Sequence, residues 1–234
     1  PGSAIYISDK IRDKYNEAFG MDGETVYLTS EIKRRPFRTI DTTSPYITYF
    51  GNIRAGRNHS LNDIGRALGR IDPSYKLHVF SNEDDKSVYG VFEENPNVIY
   101  GGSVPYAVVQ EEMQKSDICV IVEGFAKEDV DRTRYSLSTK AADALASGAS
   151  ILTYGSGECG IVEYMQSTRA SAVCTDKEKL EERIRNLLLD TDLQRRYYDQ
   201  AVIMTQKHHN LESSSSVFEG VVRKAIAKKG KKNA

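Results

Sequence analysis

With 234 residues, 39% of them hydrophobic, the chain is long enough to bury a real core as one large domain or one domain with appendages. Its 32 basic and 33 acidic side chains leave a formal charge of -1, which excludes recruitment of nucleic acid or acidic surfaces by a global field. Cys119, Cys159 and Cys174 are odd in number and lack metal spacing, so they read as buried thiols of a reducing cytoplasm. No apolar run nears the roughly 20 residues of a membrane span and no signal-peptide pattern is seen, so a soluble protein is expected.

Pro1-Gly2-Ser3 reads as a cleavage scar, and the abrupt apolar start that follows suggests a piece of something longer. The pattern predicts a strand over 4–8, a helix over 9–19 with Asp9 as cap and Ile11, Tyr15, Ala18 and Phe19 on one face, and a strand over 25–28. That βαβ unit is too small to stand alone. The polar, basic, proline-bearing stretch 30–45 reads as its connection to the main body.

From Tyr46 strands and helices alternate, with strands expected over 47–50, 76–81, 97–100, 117–122, 150–154 and 171–175. Leu61, Ile64, Leu68 and Ile71 give one intervening helix its apolar stripe, and Tyr106, Val109 and Met113 give another. Several strands are continuously apolar, as expected when helices cover both faces of a parallel sheet. The expectation is a doubly wound parallel α/β sheet over 46–210, preceded by the 4–45 piece and followed by helices over 180–189, 193–207 and 217–227. Lys228-Lys229-Gly230-Lys231-Lys232 reads as a solvated, disordered tail, with at most a weak attraction to anionic lipid.

In such a sheet ligands bind at the carboxyl ends of the strands, so the residues after each strand carry the candidates. Gly51-Asn52-Ile53-Arg54-Ala55-Gly56-Arg57 joins glycines that let backbone approach a ligand to arginines that grip phosphate. Gly101-Gly102-Ser103-Val104 could offer backbone polar groups to a flat base, and Glu123-Gly124-Phe125 places a carboxylate beside a glycine. Ser136, Ser138 and Thr139 are helix-opening residues before Lys140, Asp143 follows within the next turn, and Gly148 stops the helix. Hydroxyls, a lysine and a helix N-terminus in one place suit a diphosphate, although an ordinary capped αβ unit would use the same letters.

Other signals compete. Gly155-Ser156-Gly157-Glu158-Cys159-Gly160 is a literal G-x-G-x-x-G with Asp176 downstream, as a nicotinamide dinucleotide site requires, but it follows the fifth strand of the main body rather than the first. A non-catalytic module that kept the fold is a further alternative. His59, His78, His208 and His209 form no metal set; His78 reads as packed in a strand and the His208-His209 pair as a solvated helix end. Asp129-Val130-Asp131 has the letters of a metal motif but reads as part of a long charged loop. Tyr197-Tyr198 reads as packing its helix back onto the neighbouring domain. Fourteen tyrosines without a basic stripe do not make a nucleic-acid surface.

Taken together, Gly51-Asn52-Ile53 with Arg54 and Arg57, the Gly101-Gly102 turn before a helix ending Lys115-Ser116-Asp117, and Ser138-Thr139-Lys140-Ala141-Ala142-Asp143 running to Gly148 resemble the C-terminal donor-binding half of GT-B glycosyltransferases. The likeness is to family-4-like members of bacterial glycan pathways and covers about 46–210, with 4–30 similar to the last βαβ segment of their N-terminal domain. It implies a Rossmann-like domain that binds a nucleotide diphosphate sugar, UDP-linked in the first instance, for transfer to a hydroxyl acceptor in polysaccharide or glycoprotein synthesis. It implies diphosphate contacts from Gly51, Arg54, Arg57, Ser138, Thr139 and Lys140, and ribose contacts from Asp143. The 123–134 stretch would touch the sugar. Asn52, Gly102, Ser103 and Val104 complete the candidate set. The family's paired acids would place Glu at position 136, where this chain has Ser136, so Glu123 or Asp131 would have to substitute. No metal or separate cofactor is expected, no catalytic residue is assigned, and the glycan, lipid-linked or protein acceptor would sit on an N-terminal domain. The chain alone should bind donor without turnover.

Overall fold

A strand as apolar as Ile118–Val122 needs helices on both faces of its sheet, and the computed structural model, which describes residues 3–230, builds such a sheet from six parallel strands. Strands β1 (Ser3–Tyr6) and β2 (Asp22–Thr25) form a separate parallel pair joined through helix α1 (Asp9–Phe19). The large sheet contains β3 (Ile47–Phe50), β4 (Leu77–Phe80), β5 (Val98–Gly102), β6 (Ile118–Val122), β7 (Ser150–Tyr154) and β8 (Ala172–Cys174), in the order β5-β4-β3-β6-β7-β8. The order reverses where β3 lies beside β6, and there a doubly wound sheet opens a crevice at its carboxyl edge.

Helices α2 (Arg57–Ile71) and α8 (Leu180–Leu189) cover one face through Leu61, Ile64, Leu68, Ile184 and Leu187. The other face is covered by α4 (Tyr106–Lys115), α6 (Lys140–Ser147), α7 (Gly160–Thr168) and α9 (Thr191–His208), with Val109, Met113, Leu145, Ile161 and Ala201 buried against it. Short helices α3 (Lys86–Tyr89) and α5 (Lys127–Thr133) lie in crossovers, and α10 (Leu211–Gly230) returns onto β1 and β2. All three cysteines are buried free thiols. Among the described residues, no helix is long and apolar enough to cross a membrane.

Several elements depart from the sequence pattern. The second strand is Asp22–Thr25 rather than 25–28, because Gly23 fits under the Tyr6 ring while its N–H and C=O pair with the Asn16 amide at 3.0 and 3.1 Å. Asp129-Val130-Asp131 is helical and not loop: Val130 is buried, and Asp131 pairs with Lys127 and Arg134. The last helix runs from Leu211 to Gly230 rather than over 217–227, so Lys228 and Lys229 are helical; Lys231 and Lys232, like Pro1 and Gly2, lie outside the described residues. The 26–46 stretch has no regular structure but forms a strap tied down by buried contacts. Arg34 and Arg35 donate to the carbonyls of Ala201 and Ser116, Ile32 and Ile40 are buried, and Tyr198 donates to Arg35 O.

Candidate functional site

Loop 51–56 leaves β3 at the reversal of strand order and can only take its path with unusual backbone, with φ of +149° at Gly51, +56° at Ala55 and +74° at Gly56. Gly51 N–H donates to Phe80 O and Tyr49 Oη donates to Asn52 O, which pins the loop across the strand ends. Gly56 is fixed by space as well as angle, since a side chain there would run into Asp129 and the Gly124 backbone. The loop therefore lies low and leaves a cleft above β3 and β6.

That cleft has two adjoining parts. One, of about 360 Å³, is lined by Gly51, Asn52, Arg57, Glu123, Ser136, Ser138, Thr139 and Lys140. The other, of about 260 Å³, is lined by Phe50, Gly51, Asn52, Phe80, Ser103, Val104, Tyr106 and Lys140. Phe50 and Phe80 stack at 5.0 Å beneath the second part, a flat apolar floor. Gly51, Asn52 and Lys140 border both parts, which makes Lys140 the cation at their junction. Thr139, at the N-cap of α6, makes no side-chain cap bond, so the hydroxyls before this helix are not spent on its own N–H groups.

Arg57 and Glu123 form the charged wall of the larger part. A single Arg57 nitrogen lies 3.0 and 2.8 Å from the two carboxylate oxygens, yet Glu123 Oε2 is buried with no hydrogen bond. Burial pushes the Glu123 carboxyl above its ordinary pKa while Arg57 opposes the shift. Burial likewise opposes the Arg57 charge, but the carboxylate holds its guanidinium pKa above the usual value.

Three sequence candidates, Arg54, Gly102 and Asp143, do not line the cleft. Arg54 turns away to Glu83 at 2.6 Å and Asp85 at 3.5 Å, because the Asn52 side chain takes its N–H and sends the residue outward. Gly102 sits at φ +67° at the end of β5 and gives its carbonyl to Ser81 N–H, while Ser103 and Val104 beyond it reach the cleft. Asp143 lies just behind the lining and is 4% exposed. Its Oδ1 accepts from Ser30 Oγ at 2.7 Å and Tyr106 Oη at 3.1 Å, and its Oδ2 lies 3.6 Å from Lys140 Nζ. Tyr106, expected in the core stripe of α4, instead lies over the cleft, half exposed, with Lys140 Nζ 4.6 Å from its ring centre. Neither Tyr106 nor Ser30 stood out as a site residue in the sequence.

The Gly155–Gly160 loop is closed. Gly155 packs on Glu123, and a side chain at Gly160 would come within 2.9 Å of Ser136 O and 3.1 Å of Arg134 O. The first and last glycines of this loop are thus spent on packing against the chain itself, which does not favour the dinucleotide alternative. The helix that follows works at a junction instead. His209, expected as a solvated helix end, is 2% exposed, with Nε2 2.7 Å from the Tyr164 hydroxyl on α7 and Nδ1 2.8 Å from Leu28 O on the strap. Lys10 of α1 bonds Glu163 and the Glu158 carbonyl, and Ser8 donates to Tyr135 O. Among the described residues, no cluster of three His, Cys, Asp or Glu side chains is arranged to hold a metal ion.

Known structures share this fold. A mutant of TarM from S. aureus, in complex with fondaparinux, alpha-GlcNAc-glycerol and UDP, superposes with a TM-score of 0.70 at 12% identity, over 93% of this chain and 43% of that one. HepE from Anabaena, in complex with UDP and glucose, gives 0.64 at 12% identity over 94% and 62% of the two chains. Sucrose-phosphate synthase from Thermosynechococcus elongatus gives 0.64 at 14% identity over 97% and 59%. At these identities the likeness establishes a common fold, and this chain spans about half the length of those proteins. No curated protein matches at the sequence level. Residues 57–216, about two thirds of the chain and including both Arg57 and Asp143, match the family described as glycosyl transferase-like. The chain belongs to that glycosyl transferase-like family.

Proposed function

We propose that the cleft between β3 and β6 binds the donor of a glycosyl transfer, a nucleotide diphosphate sugar. The observation that carries this reading is the placement of Lys140, the first residue of an α6 whose N-cap makes no side-chain cap bond, between a flat apolar subsite and a polar one. The nucleoside belongs over Phe50 and Phe80, where Ser103 and Val104 meet the base edge. The diphosphate belongs at Lys140, Ser138, Thr139 and the Gly51-Asn52 backbone, and the sugar belongs against Arg57, Glu123 and Ser136. Arg57, paired with Glu123 at 2.8 Å, gives that wall the polar character that sugar hydroxyls need.

In transfer, the bond from the sugar's anomeric carbon to the diphosphate oxygen breaks and a bond to the acceptor oxygen forms. Lys140 and the helix dipole stabilise the charge growing on the departing diphosphate. The acceptor, a hydroxyl of a glycan, lipid-linked or protein substrate, and the base that takes its proton are assigned to the part of the longer relatives that this chain does not span. No cofactor beyond the donor is assigned. UDP leads as the nucleotide because TarM and HepE are both described with it.

Calorimetric titration with UDP, GDP, ADP, CDP and NADH at one pH tests this. One nucleoside diphosphate should bind and NADH should not. Binding of NADH, or of nothing, overturns the proposal.

A further inference from the structure

We propose that the side-chain amide of Asn82, in the loop after β4, reads the uracil edge of the donor through its N3–H and O4. The inference rests on the donor-binding reading and deepens it, since it names the group that recognises the base.

Most polar side chains that line the flat part of the cleft already have work within the chain. Asn52 spends its side-chain oxygen on Arg54 N–H at 2.8 Å, and Ser81 is buried with its Oγ accepting from Glu83 N–H at 3.3 Å. Tyr106 donates its proton to Asp143, and Lys140, a donor only, stands at the junction assigned to the diphosphate. Asn82 and Ser103 remain. Both are exposed, and neither side chain has a hydrogen-bond partner among the described residues. An amide presents a donor and an acceptor side by side on one plane, and uracil presents the complement, N3–H beside O4. A serine hydroxyl has a single oxygen and does not span both atoms, so the two-bond match falls to Asn82.

The backbone on either side of Asn82 is held. Ser81 N–H donates to Gly102 O at 2.9 Å, which ties the loop after β4 to the loop after β5 and brings Asn82 and Ser103, each the next residue along, to the same strand ends. Tyr100 Oη donates to Glu83 O and lies 3.3 Å from Ser81 O. Glu83 is clamped in turn by Arg54 at 2.6 Å and accepts from Asp85 N–H at 3.1 Å. Arg54, turned away from the cleft, thus helps to steady the loop that presents Asn82. An uncommitted amide on a fixed backbone is set in place before the ligand arrives, which lowers the ordering cost of binding. The stacked Phe50 and Phe80 rings supply the apolar face for the base, and Phe80 is two residues from Asn82.

The test is calorimetry with UDP and N3-methyl-UDP, on the unaltered protein and on Asn82→Ala. The unaltered protein should favour UDP by about tenfold, because the methyl group removes the N3–H donor. Asn82→Ala deletes an exposed side chain without a partner among the described residues, so the melting temperature should stay where it is. In that variant UDP should weaken by about tenfold and its preference over the methyl compound should disappear. An Asn82→Ala protein that binds UDP as before, or that keeps the full preference, overturns the proposal. So does an unaltered protein that binds both compounds equally, or that binds another nucleoside diphosphate and not UDP; in those cases the donor-binding reading stands. If no nucleoside diphosphate binds, that reading itself fails and this inference with it.

Discussion

Two glycine-bearing loops stand at the carboxyl edge of the same sheet, each followed by a helix, and they do opposite work. Loop 51–56 after β3 lies flat under left-handed backbone and leaves space above it. Loop Gly155–Gly160 after β7 has two of its glycines, Gly155 and Gly160, pressed against Glu123, Ser136 and Arg134. The first opens a cleft at the reversal of strand order. The second closes a joint through which α7 carries α1 and the strap, by way of Lys10, Tyr164 and His209. A glycine spacing therefore reports that backbone comes close to something, and only the three-dimensional neighbours show whether that something is a ligand or the chain itself.

The largest effect should come from breaking the wall of the open loop. Arg57→Ala leaves Glu123 buried and unpaired, which should cost about 3 kcal/mol of stability in urea unfolding. Replacing both residues by apolar ones, Arg57→Met with Glu123→Leu, should recover most of that loss. A single-variant cost below about 1 kcal/mol would show that the pair does not hold the wall.

The closed loop gives a test of sign. Gly160 opens α7, and in an open loop Gly160→Ala would stabilise by about 0.5–1 kcal/mol through helix propensity. Here the added methyl meets carbonyl oxygens at 2.9 and 3.1 Å, so the same change should destabilise by about 1–3 kcal/mol. A gain in thermal stability would mean that the loop is open after all.

Next comes a binding contrast between two cations that look equivalent in the sequence. Lys140→Ala should weaken UDP about tenfold and leave uridine nearly unchanged, because the ammonium sits where the diphosphate is placed. Arg54→Ala should change UDP affinity by less than about threefold, since Glu83 and Asp85 already hold that guanidinium. Equal losses of UDP and uridine in Lys140→Ala would remove Lys140 from the diphosphate site.

What could be read from the chain, and what could not, follows the range of the interactions. Continuous apolar strands and helical stripes are local, so the doubly wound sheet and its candidate rim were legible, down to Gly51, Glu123 and Lys140 as neighbours. Tyr106 obeys the 106, 109, 113 stripe but occupies the first turn of α4, where the stripe runs past the end of the sheet and over the cleft. Nothing within its own window separates that position from the core. Ser30 and Asp143 meet across 113 residues, and Arg54 looked like Arg57 until Glu83 and Asp85 came beside it. Short charged α5 hid for the same reason, since its burial rests on Val130 and Thr133 alone.

The smallest effect concerns His209, whose partners Leu28 and Tyr164 belong to the joint served by the closed loop. Burial lowers its pKa below 6.5, with the Leu28 carbonyl opposing and His208 adding to the shift. The unfolded chain therefore binds more protons than the folded one as pH falls through the ordinary histidine range. The contribution of His209 is whole above about pH 7 and is lost as pH falls toward 5. His78 and His208 are lowered as well and act in the same direction, whereas Glu123, raised by burial, opposes them. His209→Gln isolates the one group. It should lower stability at pH 7, and its gap from the unaltered protein should narrow as the pH is brought from 7 to 5. Melting temperatures at those two pH values check this. A constant gap would mean that His209 titrates as it does in the unfolded chain, and the joint would then owe its hold to Lys10 and Ser8.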